Sequence, residues 1–395
     1  MKRVVITGLG LVSPLSASAK STFEKLCEGE VGFRILEEQD VPGMEDLPIK
    51  LGGVLPDDFD APAWIKKLTV PKNIINAEAF AVSSMAIKDS GFEVTEKNSH
   101  RIGAIFGQDR TSSVDIRNIH QKIMNSGYSK LDPFTIMKFI VSQPLGTIGV
   151  KHQIKGYCNV VCAGNASGHI AIKDSAAAIR RGQADAMVAV AAETDFDPAI
   201  LMSYYKAGCL SRNPDPSQAC RPFNSLRDGW VYSVGAGAVM LESLDHALER
   251  GAPIYAELGP VSNFADTEDH KSGMRRAMSA VSEEAEVVVA DAPGWRNWDE
   301  LEASAIQDLW PNSKVTSLKW SLGHMLAASG MAQVTTAALA LKTQTIPGIV
   351  NLDEPLKNEL SILQETQKAE FSSVASNSFS YEGGCFSSLL LKNVN

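Results

Sequence analysis

The sequence has no hydrophobic run long enough to cross a membrane, and it has no excess of positive charge. A transmembrane helix needs about 20 mainly apolar residues, and polar residues or glycines interrupt every apolar stretch of this 395-residue chain before that length. The formal net charge is −9, so no domain-wide basic surface exists to neutralise nucleic-acid phosphates. We therefore expect no membrane-embedded segment and no general binding to nucleic acid.

Metal-type cysteine pairs and a complete dinucleotide-binding fingerprint are also missing. The six cysteines are scattered without a C-x-x-C pair, so we expect reduced thiols in a cytoplasmic protein and no metal site. The turn Gly8–Ser13 lacks the third glycine of the nucleotide-binding pattern, which makes a tight structural turn the better interpretation. Residues Met1–Leu15 show no clear cleavage site, and we interpret them as a first strand and turn rather than a signal peptide.

The sequence does have the composition of an ordinary globular protein, 44% hydrophobic and 21% charged, which supports a large core. Its pattern repeats once. In the first half a short strand, Asn159–Cys162, leads through small residues into a helix over His169–Arg181. In the second half Val315–Leu318 leads into an apolar helix over Gly323–Leu341. Strands that alternate with helices predict an α/β fold, here a duplicated α/β/α/β/α sandwich with halves 1–243 and 253–395.

The segment Cys158–Gly168 contains the sharpest turn of this pattern. Its small residues allow a tight connection between strand and helix, and the start of the helix offers unpaired N–H groups and partial positive charge. Enzymes with α/β folds expose a nucleophile at such a turn. The residue at this position is Asn165, whose carboxamide is not a nucleophile.

Six segments, in order, resemble the β-ketoacyl-acyl-carrier-protein synthases of the thiolase fold. They are V-V-I-T-G-L-G-L-V-S-P-L (4–15), G-Q-A-D-A-M-V-A-V-A-A-E (182–193), R-P-F-N-S-L-R-D-G-W (221–230), V-G-A-G-A-V-M-L-E (234–242), S-L-K-W-S-L-G-H-M-L-A-A-S-G (317–330) and S-N-S-F-S-Y-E-G-G (376–384). The resemblance extends from residue 3 to about 392 and implies the thiolase-like five-layer sandwich over the whole chain.

Active members of this family use a cysteine that accepts the acyl chain and two histidines that polarise the malonyl carbonyl. The resemblance places Asn165 at the cysteine and Asp291 at the first histidine, whereas Lys319 and His324 match the family's lysine and second histidine. A carboxamide cannot form a thioester, and an anionic carboxylate would repel the enolate. We therefore expect a degenerate site without catalytic residues, in which Lys319 and His324 pair with Asp291 or Glu302.

The missing cysteine narrows the resemblance to the chain-length factor, the ketosynthase β subunit of type II polyketide synthases. This implies a catalytically inactive subunit of an acyltransferase complex. Such a subunit forms a heterodimer with an active ketosynthase and controls polyketide chain length in a tunnel at the interface. Acyl carrier protein is the other implied partner. Its phosphopantetheine is used by the partner subunit, and no cofactor is bound covalently to this chain.

By their position in the family, six residues are candidates for the tunnel or interface: Asp109, Thr111, Ser112, Ile116, Phe134 and Met137. Asp109 and its neighbour Arg110 are unexpected in a tunnel wall. Paired with each other or with the partner subunit, they would act as a plug. Two other functions remain open. One is a structural partner subunit in fatty-acid or aryl-polyene assembly. The other is a malonyl-carrier-protein decarboxylase, which would be expected to keep both histidines. Cys162 is expected to be a buried thiol rather than a substitute nucleophile.

Overall fold

The computed structural model describes residues 2–41, 43–60, 63–64, 77–193, 195–381 and 383–394. Twelve of the described strands join one mixed sheet, and four more form two short ribbons. The strands are β1 Val4–Val12, β2 Arg34–Ile35, β3 Leu51–Gly52, β4 Ile102–Gln108, β5 Cys158–Cys162, β6 Ala186–Glu193, β7 Gly235–Ser243, β8 Ala256–Val261, β9 Phe264–Ala265, β10 Val287–Ala290, β11 Lys314–Ser317, β12 Thr345–Ile346, β13 Ser361–Ile362, β14 Gln367–Lys368, β15 Ser373–Ser380 and β16 Cys385–Lys392.

The described helices lie between these strands. The α-helices are α1 Ala19–Glu28, α2 Ala77–Asp89, α3 Ser113–Ser126, α4 Gln143–His152, α5 Ser167–Arg180, α6 Pro198–Lys206, α7 Leu244–Glu249, α8 His270–Ser279, α9 Arg296–Leu309, α10 Lys319–Leu322 and α11 Ser329–Thr343. Short 3₁₀ segments cover Met44–Asp46, Ser99–Arg101, Tyr128–Lys130, Pro133–Phe139 and Leu326–Ala328. None of the helices in the described ranges is long and apolar enough to span a bilayer.

The strand order repeats in the two halves. From the centre of the sheet outward, the first half runs β1, β7, β6, β4, β5, and the second half runs β8, β16, β15, β10, β11. In each series the first two pairings are antiparallel and the next two are parallel. The halves join where Val4–Ile6 of β1 pair with Ala256–Leu258 of β8. The duplicated thiolase-like fold expected from the sequence is thereby confirmed.

The two helices α5 and α11 pack against each other between the halves. Each follows a strand at an equivalent position, β5 for α5 and β11 for α11. Glycines allow the close approach: a Cβ on Gly168 would lie 2.8 Å from the carbonyl oxygen of Ala327, and one on Gly330 would lie 2.9 Å from His169. Helix α11 is buried from Ser329 to Leu341. An amphipathic surface helix would show one buried stripe instead, so the all-round apolar pattern of the sequence was a valid signal.

Three local expectations need correction. The helix predicted over Gly323–Leu341 is divided, because Gly323 and Leu326 have positive φ, and the continuous helix begins only at Ser329. Asp132-Pro133-Phe134 is typical of a helix start, and the sequence predicts one helix from there to about His152. The structure has instead a 3₁₀ segment followed by α4, with Pro144 near the start of α4. The strand β5 was expected to be buried, but it lies at the sheet edge with Cys158 and Cys162 exposed.

Candidate functional site

The turn after β5 has the geometry expected of a nucleophile's position. Gly164 has a φ of 59°, a conformation that a residue with a Cβ rarely adopts, and a Cβ there would lie 2.1 Å from Ser380 Oγ. The hydroxyl of Ser167 accepts a hydrogen bond from the N–H of Ala163 at 2.9 Å, which ties the turn to the first residue of α5. The sequence thus folds this segment into a tight strand-to-helix connection.

Asn165 points into the protein from this turn and is 1% exposed. Its Nδ2 donates to the backbone carbonyl of Phe379 at 3.4 Å, and the backbone carbonyl of Asn165 accepts from Ser378 Oγ at 2.9 Å. Its Oδ1 has no hydrogen-bond partner within the described ranges. The side chain therefore lies where a nucleophile would, but it offers an amide to the interior.

Asp291 lies on the other side of Phe379, just after β10. It is fully buried, its Oδ1 accepts from Lys319 Nζ at 2.7 Å, and it also accepts from the backbone N–H of Phe379. Burial raises the pKa of the Asp291 carboxyl, and the adjacent Lys319 ammonium opposes that rise. Because a buried charge is tolerated when it is paired, we interpret Asp291 and Lys319 as a structural ion pair. The pairing expected from the sequence is confirmed.

Glu302 on α9 fixes the backbone around Asp291. Its carboxylate accepts from the N–H groups of Asp291 and Ala292 at 2.9 and 2.7 Å and from Asn377 Nδ2 at 2.9 Å. Burial and the nearby charge of Asp291 raise the pKa of Glu302 to about 7. Sequence reasoning missed Asn377, although it belongs to the S-N-S-F segment that carried the resemblance.

His324 is a buried, neutral imidazole with one free donor. Burial, followed by the charge of Lys319, lowers its pKa well below the usual range. Its Nδ1 accepts from the N–H of Leu326 at 3.0 Å, which assigns the ring proton to Nε2. That Nε2 has no partner in the part of the chain that the structure describes. His324 therefore does not pair with Asp291 or Glu302, and this part of the expectation is wrong.

Aromatic rings surround His324. Its ring centroid lies 5.0 Å from that of Trp230 and 5.9 Å from that of Tyr381. Tyr381 in turn contacts Trp295 and Trp298 at 5.6 and 5.4 Å. The part of the site around His324 is thus a compact cluster of aromatic rings around one imidazole.

The tunnel and interface candidates lie on or near the surface beside this turn. Asp109 and Arg110 form an ion pair at 2.6 Å, as expected, while Thr111 and Ser112 begin the connection to α3. Ser112 caps that helix by accepting from the N–H of Asp115. The side chains further along are half-buried or exposed: Ile116, Phe134 and Met137. Their role at a tunnel or an interface stays a prediction.

A buried polar network that begins at Arg110 was only partly foreseen. Its guanidinium also donates to Tyr232 Oη at 2.7 Å and lies 3.5 Å from Glu193 Oε1. Burial raises the pKa of Glu193 to about 8. The signal available in the sequence was a glutamate at the end of an otherwise apolar strand, β6.

The structure brings Asn165, Asp291, Lys319 and His324 into one site, linked through Phe379 and the end of β15. It offers one imidazole donor, one carboxamide and one neutralised ion pair, and none of these can accept an acyl group as a thioester. No group of metal-ligating side chains occurs among the described residues.

Comparison with known families matches both halves of the chain. The family described as "Beta-ketoacyl synthase, N-terminal domain" matches residues 1–247. The family described as "Beta-ketoacyl synthase, C-terminal domain" matches residues 261–353. Among curated relatives, 3-oxoacyl-[acyl-carrier-protein] synthase 2 of Rhizobium meliloti is 30% identical over 99% of both chains. The protein of the same name from Vibrio harveyi is 30% identical over 100% of this chain and 99% of its own.

Two solved structures cover the chain completely, and each is itself covered completely. A β-ketoacyl synthase from Burkholderia phymatum superposes with a TM-score of 0.89 at 27% identity. The ishigamide ketosynthase/chain length factor superposes with a TM-score of 0.90 at 24% identity. The second likeness is too distant in sequence to show more than the fold.

These comparisons overturn the interpretation as a polyketide chain-length factor. The relatives that match from end to end at 30% identity are 3-oxoacyl-[acyl-carrier-protein] synthases 2, and they favour the fatty-acid alternative. The physical basis of the error is that a missing cysteine removes one reaction step. The missing cysteine does not indicate which type of acyl chain is involved.

Proposed function

This chain belongs to the β-ketoacyl synthase family, and we propose that it serves as a partner subunit in fatty-acid-type assembly on an acyl carrier protein. A second subunit of the same family supplies the cysteine that accepts the acyl group. The phosphopantetheine arm of the carrier protein delivers the acyl group to that cysteine, and this chain holds no covalent cofactor.

The observation that carries the proposal is the side chain at the turn before α5. Asn165 is buried where the acyl acceptor of the family lies, and an amide nitrogen is too weak a nucleophile to form an acyl intermediate. Asp291, which replaces the first histidine, is held by Lys319 and has no N–H to donate to a carbonyl. The relatives' name supplies the carrier protein as the source of the acyl group.

A surface suited to a second subunit lies beside this turn. Within the described part of the chain, β5 pairs with β4 only, so its other edge presents unpaired N–H and C=O groups, a template for another strand. Next to it, the segment from α3 to Val141 exposes an unusual number of large apolar side chains. They are Ile116, Met124, Tyr128, Phe134, Ile136, Phe139, Ile140 and Val141. An apolar surface of this kind marks an interaction site.

Acyl transfer tests the proposal. The chain is incubated with acyl carrier protein whose acyl group carries an isotope label. The incubation is done with this chain alone and together with a family member that has the intact cysteine and both histidines. We expect no label on this chain in either case and a label on the other subunit in the mixture. A thioester label on this chain would contradict the proposal.

Cys162→Ala is the matched control for this experiment. Cys162 is the thiol nearest in sequence to the turn, and it is exposed. Its Sγ is nevertheless partly shielded from solvent and donates to the carbonyl of Asp109 at 2.9 Å. This partial burial, followed by the charge of Asp109, raises the pKa of the thiol, which disfavours the reactive thiolate. The variant is expected to give the same label distribution as the wild type. A label that disappears with this substitution would identify Cys162 as an acyl acceptor.

His324 favours one second candidate, decarboxylation of malonyl carrier protein. Its buried Nε2–H is free to donate to a thioester carbonyl, although Asp291 leaves the expected second donor absent. Release of carbon dioxide from malonyl carrier protein by the isolated chain, abolished in His324→Ala, would support this activity. No release above the uncatalysed rate would exclude it.

A further inference from the structure

A series of polar contacts connects the turn at Asn165 with a cavity at the surface. The cavity has a volume of about 480 Å³, and its walls include Arg117, Asn118, Asp195 and Phe196. At the other end of the series, a Cβ on Gly164 would lie 3.6 Å from Asp109 Oδ1.

Arg110 is the central member of this series. Its Nη1 donates to Asp109 Oδ2 at 2.6 Å, and its Nη2 donates to Tyr232 Oη at 2.7 Å. Glu193 Oε1 lies 3.5 Å from the same Nη2. Tyr232 Oη donates to the carbonyl of Asp195 at 3.0 Å, and Asp195 is a wall of the surface cavity. The contacts are therefore continuous from the turn to the cavity.

The charges of these groups balance without a ligand. Arg110 and Asp109 form an ion pair, and Glu193, whose pKa burial raises to about 8, is mainly protonated at neutral pH. Burial also raises the pKa of Tyr232 well above its usual value, so this phenol is neutral. Asp195 adds a further carboxyl group, whose pKa burial also raises. Because the set has no excess positive charge, it is unsuited to an anionic ligand and is better described as a closed polar contact.

We propose that these five residues, Asp109, Arg110, Glu193, Asp195 and Tyr232, form a polar plug that keeps an alkyl chain out of this subunit. The plug occupies the space between the turn and the surface cavity. An alkyl chain has no hydrogen-bonding group, so its entry would leave a half-buried guanidinium and a buried phenol without partners. The inference rests on the proposed function: a subunit without an acyl acceptor holds no acyl group, and the acyl chain remains with the partner.

Photolabelling of the isolated chain tests the plug. The probe is dodecanoic acid with a terminal diazirine, and the labelled peptides are mapped by mass spectrometry. In the wild type we expect no saturable label on the peptides that contain Glu193 or Tyr232. In Arg110→Ala, which removes the central donor and opens space, we expect saturable label there, increased by about tenfold or more, which corresponds to about 1.4 kcal/mol of binding free energy.

Two further variants make the result specific. Arg117→Ala removes an ion pair with Asp197 at the wall of the same cavity without touching the plug, and its label at Glu193 and Tyr232 should equal that of the wild type. Tyr232→Phe keeps the ring packing against Phe196 but removes the link to Asp195. It should increase the label in the same direction as Arg110→Ala, by a smaller factor.

Two outcomes would overturn the inference. One is strong saturable label at Glu193 or Tyr232 in the wild type. The other is the absence of added label in both Arg110→Ala and Tyr232→Phe, with circular dichroism showing either variant to be folded. Label on the surface helix α7, which exposes Leu248, serves as the internal reference, since that helix packs against β1 and β7. No partner subunit is present, so failure of this experiment is distinguishable from failure of the acyl-transfer experiment.

Discussion

In each half of the molecule, one strand, one glycine turn and one buried helix form a unit that contributes to the site. The two units differ in what surrounds them. In the first half, β5 lies at the edge of the sheet and Gly164, with a φ of 59°, leads to Asn165. In the second half, β11 lies inside the sheet next to β13, and Gly323, with a φ of 68°, lies between Lys319 and His324.

The difference between these units separates packing from chemistry. Both turns keep a glycine with positive φ, because their backbones have no room for a Cβ. Both helices keep small residues, since α5 and α11 touch at Gly168 and Gly330. The acyl-accepting side chain is absent from the first unit, whereas the second retains a lysine and a histidine. The residues that the packing of the turns requires match the family pattern in both units, whereas the residues that the reaction requires match it only in part.

The largest expected effect concerns the ion pair of the second unit. Lys319→Met leaves the carboxylate of Asp291 buried and unpaired, which typically costs about 3–5 kcal/mol. We expect a loss near the lower limit, because Asp291 already has a raised pKa and can be protonated. Urea unfolding measures the change. Lys20→Met, which breaks an exposed pair with Glu24, is the control and should stay within about 0.5 kcal/mol of the wild type. A loss below about 1 kcal/mol in Lys319→Met would contradict the structural role of the pair.

The two glycine turns provide a direct comparison of the units. In both variants the nearest contact of the new Cβ is a serine hydroxyl, Ser233 Oγ at 2.0 Å in Gly323→Ala and Ser380 Oγ at 2.1 Å in Gly164→Ala. Only in Gly323→Ala does the Cβ also meet a backbone carbonyl, that of Val231 at 2.7 Å. A hydroxyl can rotate away and a backbone carbonyl cannot. We expect losses of about 3 kcal/mol for Gly323→Ala and about 2 kcal/mol for Gly164→Ala.

Gly182→Ala is the control for both turns. Its φ is 74° but a Cβ there would meet nothing within 4 Å, so only the backbone strain of about 1 kcal/mol is expected. Equal losses for all three variants in thermal or urea unfolding would show that crowding at the two turns contributes nothing.

Glu193 of the first half makes the stability depend on pH. Its pKa is raised from an ordinary value of 4.5 to about 8, so between these values the folded state holds a proton that the unfolded state has released. Stability therefore falls as the pH rises through this window, by up to about 1.4 kcal/mol per pH unit. Glu193→Gln cannot ionise and should show a smaller slope. Urea unfolding at several pH values between 5 and 8 tests this, and identical slopes would contradict the shift.

The smallest effect on the isolated chain concerns the exposed apolar surface beside β5. Ile136 is 62% exposed, as is Leu248 on α7 in a different region. Ile136→Ser should change the free energy of unfolding by less than about 0.5 kcal/mol, yet weaken association with the partner subunit by roughly tenfold through lost apolar burial. Leu248→Ser should change neither. Equal affinities of all three proteins in a titration would remove the 113–141 segment from the interface.

Much of this site could be predicted because its signals are local. The turn at Asn165, the strand-to-helix pattern and the buried helix α11 follow from small-residue spacing and apolar periodicity, which the chain displays over short distances. The resemblance also placed Asp291, Lys319 and His324 at one site, and the contact between Lys319 and Asp291 followed from their opposite charges. The polyketide assignment was wrong, since the identity of an acyl chain is not encoded in a missing nucleophile.

Other features could not be predicted, because they depend on neighbours distant in the chain. The apolar residues of β5 predict a buried strand, but the strand is exposed because it lies at the edge of the sheet. His324 was expected to pair with a carboxylate, but its Nδ1 accepts a hydrogen bond from the N–H of Leu326 instead. Glu193 and Tyr232 meet Arg110 only because β6 and the segment before β7 lie side by side.

The duplicated α/β fold, the missing acyl acceptor and the resemblance to the β-ketoacyl synthase family could all be inferred from the amino-acid sequence. These depend on residue identity and short-range pattern, which are present in the chain before it folds. The folded structure was needed to show that His324 has a donor without a partner among the described residues, and that Arg110 also contacts Glu193 and Tyr232. Such contacts depend on burial and on atomic distances, because the desolvation that makes a polar group seek a partner arises only when the core closes.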